Sequence, residues 1–236
     1  MTASSPVALV FGGSRGIGAA CVEALAAAGW QVAFTYVSCA PENSPHRAYP
    51  VDIRDPAAVA GVFAQVEADL GAAPTAVVAN AGINVPGAPL AQFDPDNFRQ
   101  LVEVNLVGAF NILAEAARRV RDGGAIVAVT TSLVRHPVAG TGPYTASKAA
   151  VESLVRSMAK ELAGRRIRVN GVAPGPVDTD LFNAGKTEEA KQRMAAFSPF
   201  NRIGRPAEVA QVVRFLVSEE SSWIHGQIVQ PNGGMA

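Results

Sequence analysis

Residues 7–29 read VALVFGGSRGIGAACVEALAAAG. Val7–Phe11 is a short apolar run of the kind that forms a buried strand. Gly16–Ala28 is an alanine-rich helical stretch closed by Gly29. Between them, Gly12-Gly13-Ser14-Arg15-Gly16-Ile17-Gly18 has room only for a tight turn. Strand, glycine-rich turn and helix in immediate succession predict the first unit of an α/β fold. Glycines there permit positive φ and let a ligand approach the backbone. Free N–H groups and the helix dipole suit an anion, so the turn reads as a phosphate cradle. The plain alternative is an ordinary strand–helix turn packed with small residues.

The alternation continues outward from this stretch. Further strands are expected at Gln31–Val37, Ala48–Asp52, Thr75–Ala79, Ala125–Thr130, Ile167–Val172 and Gln227–Gln230. Helices are expected at Pro56–Leu70, Pro95–Val120, Pro143–Ala163 and Pro206–Ser218. Asp55 is the expected N-cap of the first of these, with Pro56 at its first position. Such alternation implies parallel strands joined by right-handed crossovers, in one open, doubly wound sheet covered by helices. Two segments break the rhythm. Ser38 to Arg47 contains Pro41 and Pro45, which cannot both sit inside a helix, so a loop is expected there. Pro174–Arg205 is long and irregular after a strand end, as expected of a lid over a site.

Composition narrows the function classes. The 236 residues are 49% hydrophobic and 17% charged, enough for a sizeable core. Lys+Arg and Asp+Glu both number 20, which leaves no electrostatic footprint for nucleic acid or acidic membranes. No apolar run approaches the roughly 20 residues that span a bilayer. Cys21 and Cys39 suggest neither a disulfide framework nor a zinc site. His46, His136 and His225 are scattered, without ligand spacing, so no metal is expected. The expectation is one soluble, cytoplasmic domain over residues 1–236.

The candidate chemistry lies at the expected strand ends. In dinucleotide-binding folds an acid about 20 residues beyond the turn binds the ribose of NAD. Here that position is Ser38, and residues 36–40 contain no acid. Arg15 in the turn then favours a 2′-phosphate and hence NADP(H), unless it is a solvated loop charge. Glu42 is a rival that would restore NAD(H). Asp52 reads either as an acceptor for the adenine amino group or as a turn residue. Tyr144 and Lys148 stand four apart and share one helix face. An ammonium beside a phenol favours the phenolate and lowers its pKa, tuning a proton donor for a carbonyl. The alternative is a surface pair. Ser132 follows the strand Ala125–Thr130 and reads as a carbonyl-binding hydroxyl or as a turn residue, with Thr131 as its rival. Asn105 lies on an apolar helix face, as a structural hydrogen-bonder or as a link in a water relay to Lys148.

Together and in this order, the motifs resemble the short-chain dehydrogenase/reductase family along essentially the whole chain. They are Gly12-x-x-x-Gly16-x-Gly18, Asn80-Ala81-Gly82, Asn105, Ser132, Tyr144-x-x-x-Lys148, Pro174-Gly175 with Thr179, and Asn232-Gly233-Gly234. The resemblance implies a Rossmann-type sheet of about seven strands, with Ser132, Tyr144, Lys148 and Asn105 as a catalytic tetrad. It implies a dinucleotide contacted by Gly12, Ser14, Arg15, Gly16, Ile17 and Gly18 of the turn, and by Ser38, Asp52 and Ile53. Asn80, Ala81 and Gly82 would sit by the adenosine ribose. Tyr144, Lys148, Pro174, Gly175, Val177 and Thr179 would surround the nicotinamide end, and about 177–205 would form the lid.

The chain departs from the family pattern in three places. Phe11 stands where the motif usually has Thr, which removes a hydrogen bond that braces the turn. The gap from Ser132 to Tyr144 is one residue shorter than the commonest family spacing. The loop at Ser38–Arg47 replaces a helix beside the adenine pocket.

The nearest subgroup by resemblance is the 3-oxoacyl-acyl-carrier-protein reductases and their carbonyl-reducing relatives. The implied function is reduction of a ketone or 3-oxoacyl carbonyl by NADPH, with Tyr144 as general acid. An NAD-dependent alcohol dehydrogenase of the same family and a non-catalytic dinucleotide sensor are the alternatives. A carrier protein is acidic. Arg118, Arg119 and Arg121, and Arg165, Arg166 and Arg168, are therefore candidates for its docking, against a plain role at helix C-termini. The resemblance also implies a homotetramer assembled through the helices Pro95–Val120 and Pro143–Ala163.

Overall fold

In the computed structural model, which describes residues 5–38 and 44–236, the expected strand Val7–Phe11 (β1) is the third of seven parallel strands. Its successors are Gln31–Tyr36 (β2), Arg47–Pro50 (β3), Ala76–Ala79 (β4), Ala125–Val129 (β5), Arg168–Val172 (β6) and Ile228–Val229 (β7). The spatial order is β3-β2-β1-β4-β5-β6-β7. The chain moves outward from β1 to β3, then returns to pair β4 on the other side of β1. That reversal opens a crevice above the carboxyl ends of β1 and β4, where doubly wound folds bind ligands.

Five longer helices cover the sheet, and apolar alternation along each strand serves both faces. Leu9, Phe11, Val77 and Ile126 pack under Val59 and Phe63 of α2 (Pro56–Leu70) and Val151 and Val155 of α5 (Gly142–Glu161). Ile112 and Leu113 of α4 (Ala109–Arg119) complete that layer. On the other face, Val10, Val78 and Val127 meet Cys21 and Leu25 of α1 (Gly16–Ala27) and Val213 and Leu216 of α8 (Pro206–Val217). Cys21 is a buried free thiol whose pKa burial pushes up to about 12, so it is a core residue rather than a nucleophile.

Most expected boundaries hold within one or two residues, and three differences matter. The helix expected at Pro95–Val120 begins as α3 (Pro95–Leu101), capped by Asp94, and ends as α4. Between them, Val102–Gly108 is wound as a π segment that contains Asn105. The stretch expected to be irregular holds two short helices, α6 (Asp180–Asn183) and α7 (Glu188–Ala195), each started by a threonine side chain. The third strand begins at Arg47, earlier than expected. Of the expected loop before it, residues 44–46 are non-regular, while Cys39, Pro41 and Glu42 lie outside the described residues. Among the described residues, no helix is long and apolar enough to cross a membrane. No group of three or more His, Cys, Asp or Glu among them is placed to hold a metal ion.

Candidate active site

The glycine turn leaves β1 with Gly12 at φ 75°, a conformation that favours glycine. Gly18 is required for a different reason: a Cβ there would lie 2.0 Å from the Gly12 carbonyl oxygen. The turn is braced from two sides. Thr35 of β2, itself buried, accepts a hydrogen bond from the Gly12 N–H at 3.0 Å, and its carbonyl accepts from Gly13 at 2.9 Å. The Asn80 amide donates to the Gly12 carbonyl at 2.8 Å. Thr35 thus supplies a brace for the turn despite Phe11 in the usual Thr position. A threonine inside the apolar run of residues 31–37 was the available signal. Asn80, expected beside the ribose, spends its amide on the turn.

The first turn of α1 has no side-chain cap and no acid, whereas Asp55 and Asp94 cap α2 and α3. A helix N-terminus left uncapped beside a glycine turn fits a pyrophosphate. Arg15 is exposed at that terminus, and Ser14 is half-buried beside it. Ser38 is exposed just past β2. Asp52 is gripped by Arg54, whose Nε lies 3.0 Å from each carboxylate oxygen, and this pair holds the Asp52 carboxyl below its usual range. The Arg54 N–H also donates to this carboxylate at 3.0 Å, a turn contact. Ile53 is buried, with its side chain against Gly108 and its carbonyl held by the Asn111 amide at 3.0 Å. Ala81 packs on Gly12, as a Cβ at position 12 would meet its Cα at 2.8 Å.

At the ends of β4 and β5 the catalytic candidates converge. Asn105 is fully buried; its Oδ1 accepts from the Ile83 N–H at 2.8 Å and its amide donates to the Ile83 carbonyl at 2.9 Å. A Cβ at Gly82 would touch both Asn105 Oδ1, at 3.0 Å, and Lys148 Nζ, at 3.2 Å. The π segment, the loop after β4 and α5 therefore meet at one point. Lys148 is buried and donates to the Val129 carbonyl at 3.1 Å. Burial lowers its pKa to about 8. Tyr144 is pushed up to about 12 by burial, against a smaller lowering from the Thr131 side chain. The expected acidification of the phenol by Lys148 is therefore not found. The ammonium turns to a strand-end carbonyl instead, and desolvation of the phenolate dominates.

Thr131 and Ser132 are adjacent but differently employed. Ser132 is fully buried; its hydroxyl donates to the Ala173 carbonyl at 2.7 Å and accepts from the Asn232 amide at 3.1 Å. The Asn232 carbonyl in turn accepts from Gly234 and Met235, so the residues after Asn232 are folded onto the strand ends. Thr131 Oγ1 accepts from the Leu133 N–H at 3.3 Å, and its side chain is the group that lowers the Tyr144 pKa. Pro174 accepts from the Ser132 N–H at 2.9 Å, and the Gly175 N–H donates to Pro231 at 3.3 Å. Val177 is buried, and Thr179, which caps α6, lies where a Cβ at Gly16 would meet its Cγ2 at 3.2 Å. The segment after β6 thus begins against the glycine turn.

Gly82, Thr131, Ser132, Tyr144, Lys148 and Thr179 line one cavity of about 910 Å³, within the range of small-molecule sites, and Asn105 is buried behind that wall. Its wall includes Ile17 and Asn80, Tyr144 and Lys148, and Phe182, Met194 and Phe197 of the segment that holds α6 and α7. The two arginine clusters lie elsewhere. Arg118 and Arg119 bind Glu115 at 2.8 and 2.5 Å, Arg165 binds Asp122 at 2.7 Å, and buried Arg168 donates to the Leu216 carbonyl at 2.6 Å. All precede or begin β5 and β6, at the opposite strand ends from the site. Of the two alternatives for these arginines, the contacts of Arg118, Arg119, Arg165 and Arg168 fit the plain one, in which they close helix ends and tie loops.

Comparison with known proteins agrees with this geometry. A family model described as enoyl-(acyl carrier protein) reductase matches residues 12–236. A short-chain type dehydrogenase/reductase of Picea abies is 40% identical, over 97% of this chain and 91% of that relative. An NADPH-dependent aldehyde reductase-like chloroplastic protein of Arabidopsis thaliana is 38% identical, over 97% and 93%. A 3-oxoacyl-acyl-carrier-protein reductase of Mycobacterium tuberculosis is 36% identical, over 96% and 91%. A crystal structure of a short chain dehydrogenase from Burkholderia cenocepacia in complex with NADP superposes with TM-score 0.88 at 34% identity, covering 98% and 97%. The sheet order, the glycine turn and these full-length similarities together place the chain in the short-chain dehydrogenase/reductase family, as an NAD(P)-dependent oxidoreductase.

Proposed function

We propose that the protein reduces a ketone or 3-oxoacyl-type carbonyl to a secondary alcohol with NADP(H), using Tyr144 as the general acid. The observation that carries this reading is the convergence of Tyr144, Thr131 and Lys148 on one cavity that begins at the glycine turn, with Asn105 buried behind its wall beside Gly82 and Lys148. When bound, the nicotinamide nucleotide supplies the hydride. The chain supplies position and the proton. The uncapped N-terminus of α1 holds the pyrophosphate, and Arg15 with Ser38 receives a 2′-phosphate. The NADPH-dependent and NADP-bound relatives support that cofactor preference.

The high pKa of Tyr144 keeps the phenol protonated at neutral pH, ready to donate to a carbonyl oxygen that gains charge. Thr131, rather than Ser132, presents the hydroxyl that holds that oxygen, because Ser132 is committed to Ala173 and Asn232. Lys148 binds the nicotinamide ribose. Asn105 fixes the loop after β4 and holds the relay water. Residues 177–205 act as the lid of a single domain spanning 1–236. A cytoplasmic setting is in keeping with the buried thiol of Cys21.

The test is a panel of ketones and aldehydes with NADPH, followed by fluorescence decay. Tyr144→Phe is expected to lower turnover by roughly 10²–10⁴-fold while NADPH affinity stays within about threefold. Retained turnover in that variant overturns the assignment. The helices α3–α4 and α5 are proposed to pair between copies, as Phe98 and Phe110 are exposed along the former. Light scattering is expected to give a tetramer, and a monomer overturns the pairing.

A further inference from the structure

The lid side of the cavity holds a cation that the reaction just proposed does not use. Lys186 follows α6 and lines the cavity with Leu181, Phe182, Met194 and Phe197. Its ammonium lies 4.7 Å from the centre of the Phe182 ring and donates to the Phe182 carbonyl. Among the described residues, no carboxylate lies within 4.0 Å of it, and neither Asp nor Glu lines the cavity. The nearby Lys191 is paired with Glu188 at 2.8 Å, so that acid is already engaged. Burial and the Lys191 charge both lower the Lys186 pKa, which marks the ammonium as under-compensated by the protein.

A cation in an apolar wall is normally paired, because partial desolvation otherwise disfavours its charge. One bond to Phe182 helps to close the short helix α6 and leaves ammonium donors uncommitted. The other charged group on the wall, Lys148, belongs to the catalytic cluster. The cavity wall therefore carries the reaction cluster, apolar side chains and, on the segment after α6, a second cation. Resting on the reading of the site as a carbonyl reductase, we infer that the preferred substrate is a carbonyl compound with an apolar body and an anionic group, and that Lys186 receives the anion. Its net gain arises because the anion restores the compensation that the protein wall withholds.

Matched substrates separate this inference from the reading beneath it. The probes are straight-chain keto acids from 4-oxopentanoate to 7-oxooctanoate, each beside its methyl ester, with NADPH saturating. For at least one chain length the acid is expected to exceed its ester in kcat/KM by roughly tenfold, mostly through KM. In Lys186→Gln that ratio is expected to collapse toward one, and in Lys186→Arg to persist. An acid-to-ester ratio that Lys186→Gln leaves unchanged overturns the inference while esters are still reduced. So does an equal loss for acid and ester with a raised KM for NADPH, which would place Lys186 on the cofactor. An equal loss with a lower melting temperature also overturns it, since Lys186 would then only close α6. Failure of wild-type protein to reduce acids, esters and neutral aldehydes alike overturns both this inference and the carbonyl-reductase reading.

Discussion

Neighbouring hydroxyls at 131 and 132 show how much one backbone step decides. Side chains alternate direction in extended chain, so two adjacent residues at a strand end rarely face the same group. Here Ser132 turns toward β6 and Asn232, and Thr131 toward the phenol. Sequence spacing placed a hydroxyl within reach of Tyr144 but left two candidates open. Thr131→Val is expected to cost about 10²-fold in kcat with little loss of stability, as the removal of one oxyanion partner does. Ser132→Ala is expected to do the reverse, lowering unfolding free energy by about 1–3 kcal/mol because the buried Asn232 amide loses its acceptor. Steady-state kinetics and urea unfolding on the two variants distinguish them. If Ser132→Ala loses turnover and Thr131→Val does not, the roles are exchanged.

Elements were read from their ends more easily than from their middles. Asp55-Pro56 announces a helix because cap and first-turn preferences are local, and that cap is made; Asp94, which the sequence reading did not single out, caps α3 in the same way. The π segment at Val102–Gly108 carries no such local mark. It accompanies the pair of hydrogen bonds between Asn105 and Ile83, a partner 22 residues away, and places the side chain inward. The segment 174–205 was read as irregular because α6 has four residues and α7 eight, too short for a clear apolar period. The glycine turn depends on β2 in the same non-local way. Thr35→Val keeps the shape of the buried residue but leaves the Gly12 N–H without its acceptor. NADPH affinity is expected to fall by roughly tenfold, with recovery in Thr35→Ser, by fluorescence titration. An unchanged Kd in Thr35→Val would show that the turn holds its shape without this brace.

Across the whole molecule, the site is built at some expense to stability. Lys148 titrates near 8 in the folded protein against 10.5 ordinarily, because burial disfavours its charge. Between those values the unfolded chain binds more protons than the folded one, so this group's contribution makes stability rise with pH through that window. At neutral pH it is a net penalty. Lys148→Met is therefore expected to be inactive, yet more stable at pH 7 by on the order of 1–3 kcal/mol, with the difference shrinking as pH rises from 8 toward 10. Urea unfolding of both proteins at several pH values checks this. A gap that does not shrink would mean that the lysine is not desolvated as the structure implies.

The sequence by itself determined the α/β class, the strand at β1 with its glycine turn and the Tyr144–Lys148 pair. Each of these rests on chain-local chemistry: apolar period, glycine's backbone freedom, and a four-residue step along one helix face. Only the tertiary structure decided which hydroxyl meets the phenol, what braces the turn, why the phenol is less acidic and where the arginines point. Those outcomes depend on burial and on partners far along the chain, and desolvation is set by what the fold packs around a group.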